Sequence, residues 1–344
     1  MPVAGWLVFI VGNYIHWPPF AIVSTAALIA AVLSAVHHAE TIAHRVGEPF
    51  GTLVLALAVT MIEASLVVSL MFAGGKDSST LARDTVFAAV MIILNGMIGL
   101  SIFSGSIRFK EQNFIQQGIS AALITLVTIS VLTLILPNFT VSVPGPFYNK
   151  QQLLFVAVVT LILYGTFILV QNVRHRDHFQ STEDVKETSD HPSNRVAWLS
   201  VLLLMLCLGA VVLIAKSLAP GLEAWVKNIG APVSLVGVII ALVVLLPEGL
   251  SAYNAARKNQ LQKSLNLSLG SALATIGLTI PTVSIVSLFT GLPLSLGISA
   301  GSSVLFLLSL FVIILSLSTG KTTILQGVVL LLIFAIYIFS IIFP

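Results

Sequence analysis

Eleven apolar runs, most of them about twenty residues long, occupy most of this 344-residue chain. Bounded by charged, Gly or Pro clusters, they lie near residues 3 to 16, 19 to 38, 50 to 73, 81 to 105, 116 to 137 and 151 to 173. After a polar gap they resume at 197 to 217, 231 to 256, 264 to 290, 297 to 317 and 322 to 343. A helix of about 20 apolar residues crosses the roughly 30 Å hydrocarbon core of a bilayer. The first run, cut off by Trp17-Pro18-Pro19, is short for a full crossing. Charged residues make up 8% of the chain, where a soluble domain needs about 25% to face water. The expected fold is therefore an all-α polytopic membrane protein with about 11 transmembrane helices and no large domain outside the bilayer.

The few charges report topology. With eleven spans, Arg45, Arg108, Lys110, Arg174, Arg176, Lys186, Arg195, Arg257, Lys258, Lys263 and Lys321 fall on one side, and Lys76, Arg83, Lys150, Lys216 and Lys227 on the other. The positive-inside tendency makes the richer side cytoplasmic and places the N-terminus there. Sixteen scattered basic residues, for a net charge of +3, form no patch of the kind nucleic acid requires. The first of them is Arg45, so the apolar N-terminus lacks the basic region of a secretory signal and is expected to stay as a helix. The single cysteine, Cys207, lies in an apolar run and reads as a buried, inert thiol.

Residues 174–196 are the longest polar segment, with Asp177, Glu183, Asp184, Glu187 and Asp190 beside His175, His178 and His191. Without fixed ligand spacing this mixture reads as a solvated cytoplasmic linker more simply than as a metal-sensing loop. It divides the chain into an extra N-terminal helix (1–18), a first repeat (19–173) and a second repeat (197–344). A shift of 185 residues carries Glu63 onto Glu248 and brings most neighbouring runs into register. Five spans per repeat is an odd number, so the second copy inserts upside down. Secondary transporters use such inverted repeats and place the substrate near midplane between them.

Of thirteen acidic residues, Glu63 and Glu248 alone fall deep inside apolar runs, with no Lys or Arg within a helical turn. An unpaired carboxylate in hydrocarbon costs several kcal/mol, so both are candidates to hold a proton or a transported metal cation. A protonated Glu bonding between helices is the structural alternative. Thr52, Ala56 and Thr60 share a helical face with Glu63, and Gly237, Ala241, Val244 and Ser251 share one with Glu248. Such small-residue stripes serve close helix packing as readily as ligation. Pro247 cannot donate a backbone hydrogen bond, which frees the Val243 carbonyl beside Glu248; the first repeat has Ile62 there.

The following spans add polar faces: Ser268, Ser271, Thr275, Thr279 and Thr282 in the second repeat, and Asn95 with Gly96 and Gly99 in the first. Hydroxyls of this kind line a hydrated pathway or bond back to their own helix. The buried amide of Asn95 needs a partner and is the stronger ligand candidate. His37, Glu40 and His44 occupy one face at the end of the second span, as a proton-collecting vestibule, a metal site or simply solvated interfacial residues.

His38-Ala39-Glu40, Gly47-Glu48-Pro49-Phe50-Gly51, Glu63, Leu246-Pro247-Glu248-Gly249 and the run from Asn266 to Thr275 resemble the ChaA branch of the calcium/proton exchangers. Those belong to the cation/calcium exchanger superfamily. The resemblance covers nearly the whole chain. It implies a bacterial plasma-membrane antiporter without a cofactor, exchanging protons for Ca2+, Na+ or K+ at the two repeat glutamates. The wider family reads Gly-Asn-Ala-Thr-Glu before each acid. Here the segments are Val59-Thr60-Met61-Ile62-Glu63 and Val244-Leu245-Leu246-Pro247-Glu248. Both asparagines are missing, and Ca2+ takes six to eight oxygens, which weakens the case for calcium selectivity.

The expected mechanism is competition, with protons on one side neutralising Glu63 and Glu248 and their loss on the other freeing oxygens for a cation. A cation channel and a strictly monovalent Na+(K+)/H+ antiporter are the alternatives. The membrane-buried residues supply no nucleophile with a base and no HExxH, so an intramembrane enzyme is disfavoured.

Overall fold

The computed structural model describes residues 2–12, 20–47, 50–74, 79–174, 192–228, 230, 232 and 234–343. Within these limits every expected run is a helix. We number them α1 (Pro2–Gly12), α2 (Phe20–Val46), α3 (Phe50–Gly74), α4 (Leu81–Phe109), α5 (Gln116–Phe139), α6 (Lys150–Arg174), α7 (Asn194–Asn228), α8 (Ser234–Arg257), α9 (Leu261–Thr290), α10 (Ala300–Leu317) and α11 (Ile324–Ile342). Nine of the described helices are long and apolar enough to cross a bilayer, and α3 carries a shorter apolar stretch, Ala56–Phe72. The protein is an integral membrane protein. Helix α1 is 11 residues, about 16 Å, which is short of a full crossing. Most of the expected linker, with His175, His178 and His191, lies outside the described residues.

Local chemistry sets several helix starts. Asn149 accepts from the Gln152 backbone while the Gln152 side chain returns the bond, a capping box that opens α6. Ser299 caps α10 through the Ser302 N–H. Helix α9 ends where Gly291 turns left-handed at φ 72°. Two boundaries differ from expectation. Helix α2 runs on to Val46, placing His37, Glu40 and His44 on its last turns, and α7 continues through Pro220 to Asn228. That keeps Lys216 within a helix, where the run of hydropathy alone ends at residue 217.

The packing exchanges partners between the halves. Helix α4 lies against α8 and α11, and its counterpart α9 lies against α3 and α6; α2 and α7, also counterparts, pack on each other. Loop contacts repeat the pattern on opposite faces. Strand β1 (Gln112–Asn113), between α4 and α5, pairs antiparallel with β2 (Lys321–Thr322), between α10 and α11. On the other face a bridge joins Phe147, between α5 and α6, to Ser295, between α9 and α10. Each contact is the other's image under an exchange of repeats with a change of face, as two inverted five-helix repeats require. The face carrying β1 and β2 also carries Arg45, Arg108, Lys110, Arg257, Lys258 and Lys321, and is called the basic face below. Arg83 and Lys150 mark the opposite face.

The main core is built by α4, α5, α6, α8, α9, α10 and α11, with Val67 and Met71 of α3. A second cluster joins α2, α3, α7 and the first half of α8. The two glutamate helices, α3 and α8, contribute to both clusters, so each is held between the compact core and the α2–α7 pair.

Candidate functional site

Glu63 on α3 and Glu248 on α8 are buried, at 5% and 7% exposure, among apolar helices. Thr275 Oγ1 on α9 donates to Glu63 Oε2 at 2.7 Å, a bond from one repeat to the other. Glu63 Oε1 and both oxygens of Glu248 have no hydrogen-bond partner among the described residues. The ion pair found among those residues is Arg83–Asp84, near the protein surface. Neither buried glutamate therefore has a described basic partner to neutralise it.

A narrow cavity of about 10 Å3, room for about one water, lies on the Arg83 side of Glu63. It is lined by Glu63 and Leu66 of α3, Thr85 and Ala89 of α4, and Ala241 and Val244 of α8, among others. Glu63 and Thr85 are its polar walls. Thr85 did not stand out in the sequence, being one hydroxyl at the start of a long apolar run. Its signal is spatial, since α8 packs Gly237 closely against it and it lines the same cavity as Glu63.

Thr275 and Asn95 each sit in a short π-helical segment, 275–279 in α9 and 92–97 in α4. Such single-turn widenings of a helix often mark functional positions because they release backbone groups from the regular ladder. Hydropathy periodicity does not reveal one inserted residue. Each segment contains a glycine facing an aromatic ring of the helix that packs on it, Gly277 against Tyr164 and Gly96 against Phe334.

The Asn95 amide bonds to groups other than the glutamates. Its Nδ2 donates to Ser309 Oγ on α10 at 3.1 Å and to the Met91 carbonyl at 3.3 Å, while its Oδ1 is buried without a partner among the described residues. Ser309 was missed in the sequence because it is one of four serines in an otherwise apolar helix and nothing in the spacing singles it out. The remaining candidates scatter. Thr60 is buried and donates back to Ala56. Pro247 is buried next to Glu248. On the α8 stripe Gly237, Ala241, Val244 and Glu248 are buried, whereas Ser251 is exposed. Ser271 is half-buried, Thr279 is buried, and Thr282 is exposed and bonds back to Leu278. His37, Glu40 and His44 are exposed on the last turns of α2. Among the described residues no three His, Cys, Asp or Glu side chains converge to hold a metal ion.

The helical bundle thus buries two carboxylates without a described basic partner, Glu63 bonded to Thr275 of the other repeat and Glu248 bonded to no described residue. The chain belongs to the sodium/calcium exchanger protein family, which matches residues 16–173 and 199–343. It is 46% identical over 320 residues to a putative ionic transporter, y4hA, of Sinorhizobium fredii, covering 92% of this chain and 87% of that one. It is 35% identical over 319 residues to the sodium-potassium/proton antiporter ChaA of Escherichia coli, covering 91% and 86%. Among solved structures the fold matches native YfkE with a TM-score of 0.75 at 20% identity, covering 99% of this chain and 98% of that one. The H+/Ca2+ exchanger CAX matches with a TM-score of 0.72 at 21% identity, covering 98% and 85%.

Proposed function

We propose that this chain is a secondary cation/proton antiporter of the bacterial plasma membrane in which Glu63 and Glu248 bind protons and metal cations alternately. The observation that carries the reading is the pairing of two buried carboxylates without a described basic partner, one of them bonded across the repeat interface by Thr275. Leaving such a carboxylate charged and unpaired in hydrocarbon costs several kcal/mol. The site is stable when a proton or a cation neutralises it. A proton on a Glu63 or Glu248 oxygen occupies a lone pair that a cation would need, so the two ligands exclude one another. That exclusion is the coupling. The similarity to the sodium-potassium/proton antiporter of Escherichia coli supports the same reading.

The cations that fit best are monovalent. The cavity is lined by two oxygen-bearing side chains, Glu63 and Thr85, and Thr275 bonds the Glu63 carboxylate from α9, fewer oxygens than the six to eight calcium prefers. Backbone carbonyls near Pro247 and retained water would supply the remainder for Ca2+. We assign Na+ and K+ as the preferred substrates and Ca2+ as a weaker one. The basic face is cytoplasmic on this reading, with Lys and Arg concentrated there.

The test is reconstitution in liposomes carrying a preformed proton gradient, with Na+, K+ or Ca2+ added separately. Antiport predicts that each transported cation collapses the gradient saturably and that the initial rate falls at both acid and alkaline extremes. Protons crowd out the cation at one extreme and are too scarce to return at the other. Cation flux that neither saturates nor moves protons in the opposite direction would identify a channel instead.

A further inference from the structure

The Glu63 cavity closes toward the Arg83 face at a thin seam. Thr85 lies one turn into α4, about 6 Å from the helix start, and is 2% exposed. Its hydroxyl donates to the Leu81 carbonyl at 2.8 Å, which leaves its oxygen lone pairs available to a cation. Facing it is Gly237 of α8. A Cβ built on Gly237 would stand 3.4 Å from Thr85 Oγ1, 3.5 Å from the Thr85 backbone nitrogen and 3.6 Å from the Asp84 carbonyl carbon. Helices α4 and α8 thus meet here with no glycine side chain between them. Just beyond the seam are Asp84 and Arg83, with side chains 21% and 17% exposed and an N···O distance of 2.7 Å. Arg83 is itself pinned by the Gly297 carbonyl at 2.7 Å and by Ser295 Oγ at 3.4 Å.

Polar groups therefore stand in order: Asp84 at the surface, Thr85 at the seam, and Glu63 inside, with its unpartnered Oε1 on a residue lining the same cavity. The walls between are apolar. The cavity is small enough that a cation inside it has shed most of its water, so a protein oxygen at the seam is needed to replace that hydration.

We propose that the Thr85–Gly237 seam is the gate through which the Glu63 cavity exchanges cations with the Arg83 face, and that Thr85 Oγ1 hands the cation between Asp84 and Glu63. This rests on the antiport reading, since it takes Glu63 to be the inner binding group. Opening needs the two backbones to separate at the Thr85–Gly237 contact, and Asp84 would offer the cation its Oδ2, since Oδ1 is taken by Arg83.

The test is Thr85→Cys with the native Cys207 replaced by Ala, probed with a membrane-impermeant cationic thiol reagent in sealed vesicles of both orientations. The gate predicts labelling from the Arg83 face alone, inhibition of transport on labelling, and slower labelling in saturating Na+. It predicts that Na+ protection disappears in Glu63→Gln. Labelling from the basic face, equal labelling from both faces, or none during turnover would overturn the gate. Thr85→Val and Thr85→Ser give a second measurement if the cysteine variant does not reach the membrane. Val should raise the KM for cation about tenfold on the Arg83 face alone, and Ser should restore it; an equal change on both faces overturns the proposal. The antiport reading fails separately: if Glu63→Gln retains proton-coupled flux, Glu63 is not the exchange group, whatever the sidedness of Thr85→Cys labelling.

Discussion

The two glutamates occupy matching places in the two repeats, yet their surroundings are chemically unequal. Glu63 accepts a hydrogen bond from Thr275 and faces a cavity. Glu248 has no hydrogen-bond partner among the described residues and follows a proline. The difference has an identifiable source. The π-helical segment of α9 turns its hydroxyl to α3, whereas that of α4 turns the Asn95 amide to Ser309 of α10. Helix α8 still meets the α4 segment, since a Cβ on Gly249 would lie 3.6 Å from Met97 Cγ, but through an apolar contact. Symmetry of backbone therefore does not impose symmetry of ligation. Glu63 is tied by one hydrogen bond, whereas Glu248 is left without a polar support among the described residues.

The strongest way to break this comparison is to neutralise each acid in turn. Glu63→Gln and Glu248→Gln should each reduce gradient-driven cation flux in liposomes to the background of empty vesicles. If only one variant loses coupled exchange, the two sites do not act as a pair. Next in size is a packing contrast between the π-helical segments. A Cβ on Gly277 would fall 2.8 to 2.9 Å from the Tyr164 side chain, including its Cβ, whereas one on Gly96 would meet Phe334 at an ordinary 3.6 Å. Gly277→Ala should cost about 1–3 kcal/mol of stability and Gly96→Ala much less, read as the shift in thermal unfolding in detergent.

Thr275→Val tests the bond that distinguishes Glu63. Losing a hydrogen bond to a charged group is worth about 1.5–3 kcal/mol, so apparent cation affinity should fall at least about tenfold, with Thr275→Ser restoring it. An unchanged affinity would reduce the bond to a structural tie. The smallest effect is expected at Ser309→Ala, which releases the Asn95 amide from α10. It should lower stability by about 1 kcal/mol in the same unfolding measurement and leave the KM for Na+ unchanged.

The eleven helices were legible in the sequence because bilayer thickness imposes one length scale on apolar runs, and side-chain polarity at the ends marks where each stops. The extension of α7 was not, because Lys216 and Pro220 look like a boundary although the helix continues through both. Glu63 and Glu248 stood out by the same logic, as carboxylates where the solvent is hydrocarbon. Thr275 was visible as one hydroxyl in a stripe, but its choice of Glu63 depends on how α9 packs against α3, which spacing along one helix does not give. Ser251 shows the limit of helical spacing, since it shares a projected face with Glu248 and yet is exposed. Thr85 and Ser309 acquire meaning only from what packs against them, Gly237 and Asn95 respectively.

Helix α7 is 35 residues long, about 52 Å of helix, and packs on the 27-residue α2. Both exceed the roughly 30 Å that a membrane core accommodates upright, while α10 and α11, at 18 and 19 residues, nearly match it. The bilayer thus meets two thicknesses of the same protein, and the long pair must lean or protrude where the short pair stands. A lipid with longer acyl chains would relieve the mismatch at α2 and α7 and create it at α10 and α11. Because α2 and α7 pack directly on α3 and α8, a change in acyl-chain length would press on the helices that carry the two glutamates.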